Sequence, residues 1–147
     1  MRDMIATFST VDMTTDTLAG TTPNASAWLD TRGFDGAAIE LLTGAVTDAG
    51  TAAGFTATLQ HSDTTAAADA VAVPAIEASG GVVSLTVTSD ADDNIVKGVL
   101  GYLGSKRYIR LNYVGTANTD AVVRTIGRLG RPHRAPTTYV GAAVAAT

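Results

Sequence analysis

His61, Ser62 and Asp63 are consecutive in this 147-residue chain, and their residue types are those of a hydrolytic triad. Nucleophilic catalysis needs the three side chains to converge, whereas neighbours at a strand end point in different directions, and triads assemble from distant positions. The run therefore reads as an exposed loop. His133 is the only other histidine, and neither has an H-E-x-x-H spacing or a comparable ligand pattern. Cysteine is absent, which removes thiolate nucleophiles, disulfides and Cys-based zinc sites together and leaves the redox compartment open. With so little raw material for an activated nucleophile, an acid–base pair or a metal, the chain is not expected to be an enzyme or to carry a cofactor.

Oxygen ligands gather once, at Asp90, Asp92, Asp93 and Asn94, with spacings reminiscent of calcium loops. This is the best metal candidate, though a weak one: the glycine of the sharp turn and the bidentate glutamate of an EF-hand are both missing, and acidic residues also collect in ordinary strand connections. Gly98, Gly101 and Gly104 followed by Ser105 and Lys106 suggest a phosphate loop, but the order Gly-Ser-Lys is wrong and the chain continues as a strand. Those glycines are better read as allowing a bend, a bulge or the close approach of another backbone.

The remaining functional candidates are basic and aromatic. Lys106, Arg107, Arg110, Arg124, Arg128, Arg131 and Arg134 could neutralise phosphates, and Tyr108 could stack on a base. An acidic isoelectric point of about 4.9 and the lack of a recognised binding module favour a protein interface over nucleic acid. Trp28, the sole tryptophan, and Tyr139 in the apolar C-terminal stretch complete the expected interface set.

These residues need strands to position them. In residues 94–115 two apolar runs flank a Gly-rich, basic connection, which reads as a hairpin turning at Gly104 and Ser105. In its second run Tyr108, Arg110 and Asn112 alternate with Ile109, Leu111 and Tyr113, so one set faces a core and the other solvent or a partner. Residues 37–46 make a strand with Ile39, Leu41 and Thr43 on one face and Glu40 outward. Residues 54–61 alternate Phe55, Ala57 and Leu59 with polar neighbours, and the two runs are expected to pair as a second hairpin. Residues 62–72 form a surface loop with room for a short helix before Pro74; further strands are expected at 82–88 and 121–129.

Short strands separated by Gly, Asp and Asn, with no long amphipathic helix and no βαβ rhythm, indicate an all-β, antiparallel β-sandwich, with a jelly roll as one form of it. The expected organisation is an N-terminal arm over residues 1–24, a sandwich domain over 25–130 and an extended C-terminal tail over 131–147. No signal-peptide h-region or membrane-spanning run is seen, so cytosolic synthesis is expected and no membrane partner. The net charge of −4 is unevenly spread, −11 through Val96 and +7 from Lys97 onward. Either the two ends pair locally on neighbouring strands, or they mediate contact between copies or docking on an acidic shell.

The segment GYLGSKRYIRL (residues 101–111) and the upstream LDTRGFD (29–35) resemble small virion proteins of tailed bacteriophages, over roughly residues 29–123. The resemblance implies a structural role as a capsid decoration (cement) or head-tail accessory protein, made in the host cytoplasm and carried on the virion's capsid surface. The implied partners are the major capsid protein and further copies of the chain, a homo-oligomer with a trimer as the leading expectation. A head-tail connector or tail component is the alternative reading, and a carbohydrate-binding sandwich on the particle surface a remote one.

Overall fold

A computed structural model of the chain describes residues 8–49 and 54–133. Ten strands run β1 (Phe8–Ala19), β2 (Asn24–Ala25), β3 (Leu29–Asp30), β4 (Phe34–Thr47), β5 (Phe55–Ser62), β6 (Val71–Ala72), β7 (Ser84–Val87), β8 (Val96–Tyr102), β9 (Tyr108–Gly115) and β10 (Asp120–Pro132). They form a four-stranded sheet, β1-β10-β4-β8, and a six-stranded sheet in which β2 and β3 flank β9 while β6 and β7 flank β5. Every pairing is antiparallel. The protein is an all-β sandwich, and among the described residues no helix is long and apolar enough to cross a membrane.

Counted as single interrupted strands, β2 with β3 and β6 with β7 reduce the fold to eight strands. These pair first with last, second with seventh, third with sixth and fourth with fifth, which is the order of a jelly roll. One consequence overturns both expected hairpins. The runs at β8 and β9 lie in different sheets, β8 on β4 and β9 on β5, and so do β4 and β5. Each run has one apolar face, and two such faces are buried as well by facing each other across the core as by lying side by side.

The connection between β8 and β9 is therefore a crossover. It is pinned where Leu103 N donates to Glu77 O at 2.8 Å, Lys106 N donates to the Tyr102 hydroxyl at 2.9 Å and Thr31 N donates to Arg107 O at 2.9 Å. The β8 glycines permit close approach: a Cβ on Gly101 would come within 2.7 Å of the Ser79 side chain, and one on Gly98 within 3.0 Å of Leu85.

The N-terminal segment also departs from expectation. In place of an arm, β1 is a full edge strand, registered against β10 from Phe8↔Gly130 to Ala19↔Asp120 with a bulge between Asp12 and Thr14. Leu18 on it is fully buried. Of the expected tail, Arg131 and Pro132 belong to the end of β10, and residues 134–147 lie outside the described residues.

Between the sheets, Leu18, Ile39, Leu41, Leu100, Val123 and Leu129 meet Leu29, Phe55, Leu59, Val87, Ile109, Leu111 and Tyr113. The alternation along β9 and β5 falls as the sequence predicts. The loop at 62–72 holds one 3-10 turn, Ala67–Asp69.

Candidate functional site

Outward positions on β9 must carry whatever the six-stranded sheet shows to a partner. Tyr108 and Arg110 occupy two of them, opposite Ser62 and Gln60 of β5, with Asp30 of β3 opposite Tyr108 on the other side. Arg107, just before the strand, makes a two-pronged pair with Asp30: Nη2 to Oδ2 at 2.7 Å and Nε to Oδ1 at 3.1 Å. The hydrogen bond from Arg107 holds the Asp30 carboxyl below the usual carboxylate range, and the same bond raises Arg107.

From this pair a chain of cation and ring contacts runs across the sheet. The Arg107 guanidinium lies 4.7 Å from the Tyr108 ring centre, Tyr108 meets Trp28 edge to face at 6.4 Å, and the Arg110 guanidinium lies 4.4 Å from the Trp28 ring. Arg110 Nε donates to Gln60 Oε1 at 3.0 Å, and Trp28 Nε1 donates to the Thr65 carbonyl at 2.8 Å. Partial burial lowers the Arg110 pKa. Lys106 completes the group at the crossover, paired with Asp63. Three cations thus share one patch with two carboxylates, and the chain of contacts is anchored by Arg107 on Asp30 at one end and by Arg110 on Gln60 and Trp28 on Thr65 at the other.

Sequence reasoning placed Trp28, Lys106, Arg107, Tyr108 and Arg110 in the interface set, and the fold brings these five together. It missed Asp30, Gln60 and Thr65, the acceptors that orient them. Asp30 stood in the LDTRGFD segment, whereas nothing local marked Gln60 or Thr65.

Arg124 and Arg128 do not join this patch. They project from β10 on the outer face of the other sheet, so the two groups stand on opposite sides of the sandwich. Arg124 Nη2 pairs with Asp12 Oδ2 of β1 at 2.7 Å, and Arg128 Nε donates to Glu40 Oε2 of β4 at 3.0 Å. Glu40 does point outward as expected, yet its side chain keeps only 11% of its exposure beneath Arg128. Arg131 is exposed at the end of β10 with a positive φ of 55°. Arg134 and Tyr139 lie outside the described residues.

The triad-like and acidic segments serve other ends. His61 Nδ1 lies 3.0 Å from the Tyr102 hydroxyl and 3.4 Å from Glu77 Oε2, Ser62 Oγ accepts from Thr64 N at 3.1 Å, and Asp63 turns to Lys106. The three side chains therefore form no relay, although all of them line a depression of about 410 Å³ with Thr64, Asp69, Val71 and Lys106. Asp90 Oδ1 accepts from Ala49 N at 2.6 Å, Asp93 Oδ1 accepts from Val46 N, and Asp92 Oδ2 accepts from Lys97 Nζ at 2.7 Å. The acidic loop thus closes the end of β4, and the convergence that a hard cation needs is not formed. Among the described residues no three His, Asp or Glu side chains gather as a metal site.

No protein-family model matches the chain, and no curated protein matches it. Among solved structures it is similar to one titled "Crystal structure of PBSX exported protein XepA", with a TM-score of 0.43 and 15% identity over 97% of this chain and 43% of that one. The chain thus spans less than half the length of that neighbour, and a likeness of this size carries no argument about function.

Proposed function

We propose that this protein is a non-enzymatic structural component of a tailed-phage particle, a decoration or cement protein that binds the capsid exterior through the outer face of the six-stranded sheet. The observation that carries the reading is the Arg107–Tyr108–Trp28–Arg110 chain of contacts. It presents aromatic and guanidinium groups, the types enriched at protein interfaces, on β9 and on the residues just before β9 and β3, already oriented by Asp30, Gln60 and Thr65. The resemblance of residues 101–111 and 29–35 to small phage virion proteins supports the same reading. Many identical copies on a closed lattice would each add a modest contact between shell subunits, and together these would resist internal pressure.

Co-sedimentation with capsids stripped of the protein tests this, comparing wild type with Arg107→Glu/Arg110→Glu across a salt series. Saturable, salt-sensitive binding that the variant loses supports the cement role. Absence of capsid binding, with rings or tubes formed by the free protein, moves it to the head-tail connector or tail. The Trp28–Tyr108 pair beside Arg110, Gln60 and Asp30 also favours a second reading, glycan binding at the particle surface, because sugars stack on aromatic rings flanked by planar polar groups. Binding to a glycan array that Trp28→Ala abolishes would select it.

A further inference from the structure

Most cations among the described residues are already spent within the chain. Lys97, Lys106, Arg107, Arg124 and Arg128 pair in turn with Asp92, Asp63, Asp30, Asp12 and Glu40. Arg110 does not. Its Nε donates to the neutral Gln60 Oε1, its guanidinium lies on the Trp28 ring, and among the described residues no carboxylate pairs with it. Arg32 and Arg131 also make no ion pair among the described residues, but both are exposed, where water serves a cation well. Arg110 is half-buried, and the loss of water around it lowers its pKa. A guanidinium partly withdrawn from water with no counter-charge carries a cost that a partner's anion would offset.

The groups around Arg110 continue in the same sense. No buried nitrogen of Arg110 is left without a partner, so its terminal N–H groups open to solvent. The next outward residue on β9 is Asn112, registered opposite Thr58 of β5. Both are half-buried, and among the described residues neither the Asn112 amide nor the Thr58 hydroxyl has a hydrogen-bond partner. Outward positions on a strand stand about 6.8 Å apart, which is two residues of an extended segment laid alongside. The rings are less open than these polar groups: one face of Trp28 is covered by Arg110 and one face of Tyr108 by Arg107, where a sugar would have to stack.

We infer that Arg110 is the ionic anchor of the docking patch, taking a carboxylate from an acidic, extended segment of a partner protein, with Asn112 and Thr58 receiving that segment's backbone. The inference rests on the reading of this face as a protein-docking surface and narrows its ionic contact to one residue. Lys106 and Arg107 would have to release Asp63 and Asp30 before doing the same. The planar guanidinium accepts a carboxylate through two parallel N–H groups, and stacking on Trp28 holds that plane in place beforehand.

Two capped hexapeptides, one alternating Gly with Glu and one Gly with Gln, test the contact when titrated into the full chain by calorimetry and by the fluorescence of Trp28, the sole tryptophan. The Glu peptide should bind and perturb Trp28, and the Gln peptide should bind about tenfold more weakly or worse. Arg110→Gln should weaken the Glu peptide by a similar factor. Arg110→Lys, which keeps the charge and loses the planar fork, should weaken it several-fold, and it serves if the first variant does not fold. Arg124→Gln, on the opposite side of the sandwich, should change nothing. Equal binding of the two peptides, or binding indifferent to both Arg110 variants, overturns the inference. Tighter binding of an oligogalacturonate through Arg110 also overturns it, and gives the site to an acidic glycan. Stripped capsids separate the anchor from the function it rests on. Capsid binding that survives both Arg110 variants overturns the anchor and leaves capsid docking in place. Glu-peptide binding through Arg110 with no capsid binding upholds the anchor and removes the capsid as its partner.

Discussion

Arg107 and Asp30 grip each other through two parallel hydrogen bonds, 77 residues apart in sequence, and so tie the crossover between the sheets to β3 at the edge of β9. The pair is partly exposed, with 40% and 25% of the two side chains accessible, so its worth is modest but its geometry is specific.

Because Arg107 holds the Asp30 carboxyl below its ordinary range, the carboxylate contributes stability that is present above the unfolded-state value of about 3.9 and is lost as pH falls through the folded one. Asp30→Asn should lower the melting temperature by about 2–4 °C at neutral pH, and the gap to wild type should close in acid. Thermal melts from neutral pH down into the acid range check both parts. A gap that does not change with pH would show that charge is not the cause.

Asp16 should behave in the opposite sense. It faces inward from β1, its Oδ2 is buried without a hydrogen-bond partner, and desolvation raises its pKa. The stability tied to its protonated form is complete below the unfolded-state value and is lost as pH rises through the folded one. Asp16→Asn should therefore raise the melting temperature at neutral pH by about 2 °C or more, and the advantage should vanish in acid. Melting curves of the two proteins at matched pH decide it.

Burial raises the pKa of Tyr113 and of Tyr102. Both should resist ionisation while the fold holds, and their stability contribution should decline as pH rises above about 10, where the unfolded chain ionises first. Phenolate absorbance followed alongside circular dichroism should show the titration of these two of the four tyrosines coinciding with unfolding. Full titration well before unfolding would contradict the burial of these two rings.

Gly54 leads into β5 with a φ of +69°, and a Cβ there would come within 1.7 Å of the Val87 carbonyl oxygen. Gly54→Ala combines left-handed strain with a backbone clash that no side-chain movement relieves, so a loss of about 3 kcal/mol or more is expected. Denaturant unfolding should show it directly, or the variant should fail to accumulate as folded protein.

The Arg110 guanidinium covers the Trp28 ring. Arg110→Ala should red-shift Trp28 fluorescence and increase its quenching by iodide, while the melting temperature falls by no more than a few degrees. An unchanged spectrum would mean that the stacked arrangement is not held in solution.

Composition and alternation were enough to identify the longer runs at β4, β5, β8, β9 and β10 and their faces, but not the edge strand β1, which read as an arm. Ile109, Leu111 and Tyr113 were legible as inward residues and Tyr108 and Arg110 as outward ones, because a period of two is a local property of an extended chain. The glycines of β8 were legible as points of close approach, and the acidic residues 90–93 as a strand connection. The partners of each strand were not legible. Both expected hairpins failed because a jelly roll buries the apolar face of one run against the next across the core, and nothing in two neighbouring runs distinguishes that from pairing edge to edge. The same topology separates Arg110 from Arg124 and Arg128, which the sequence presented as one basic set, and it settles where the uneven charge goes. Folding the chain back on its midpoint lays the acidic first part beside the basic last part, so that Asp12, Asp30, Glu40 and Asp63 meet Arg124, Arg107, Arg128 and Lys106. Local sequence determined which side of each strand is apolar; pairing between residues dozens of positions apart, which depends on how whole faces close over one another, was decided only by the tertiary structure.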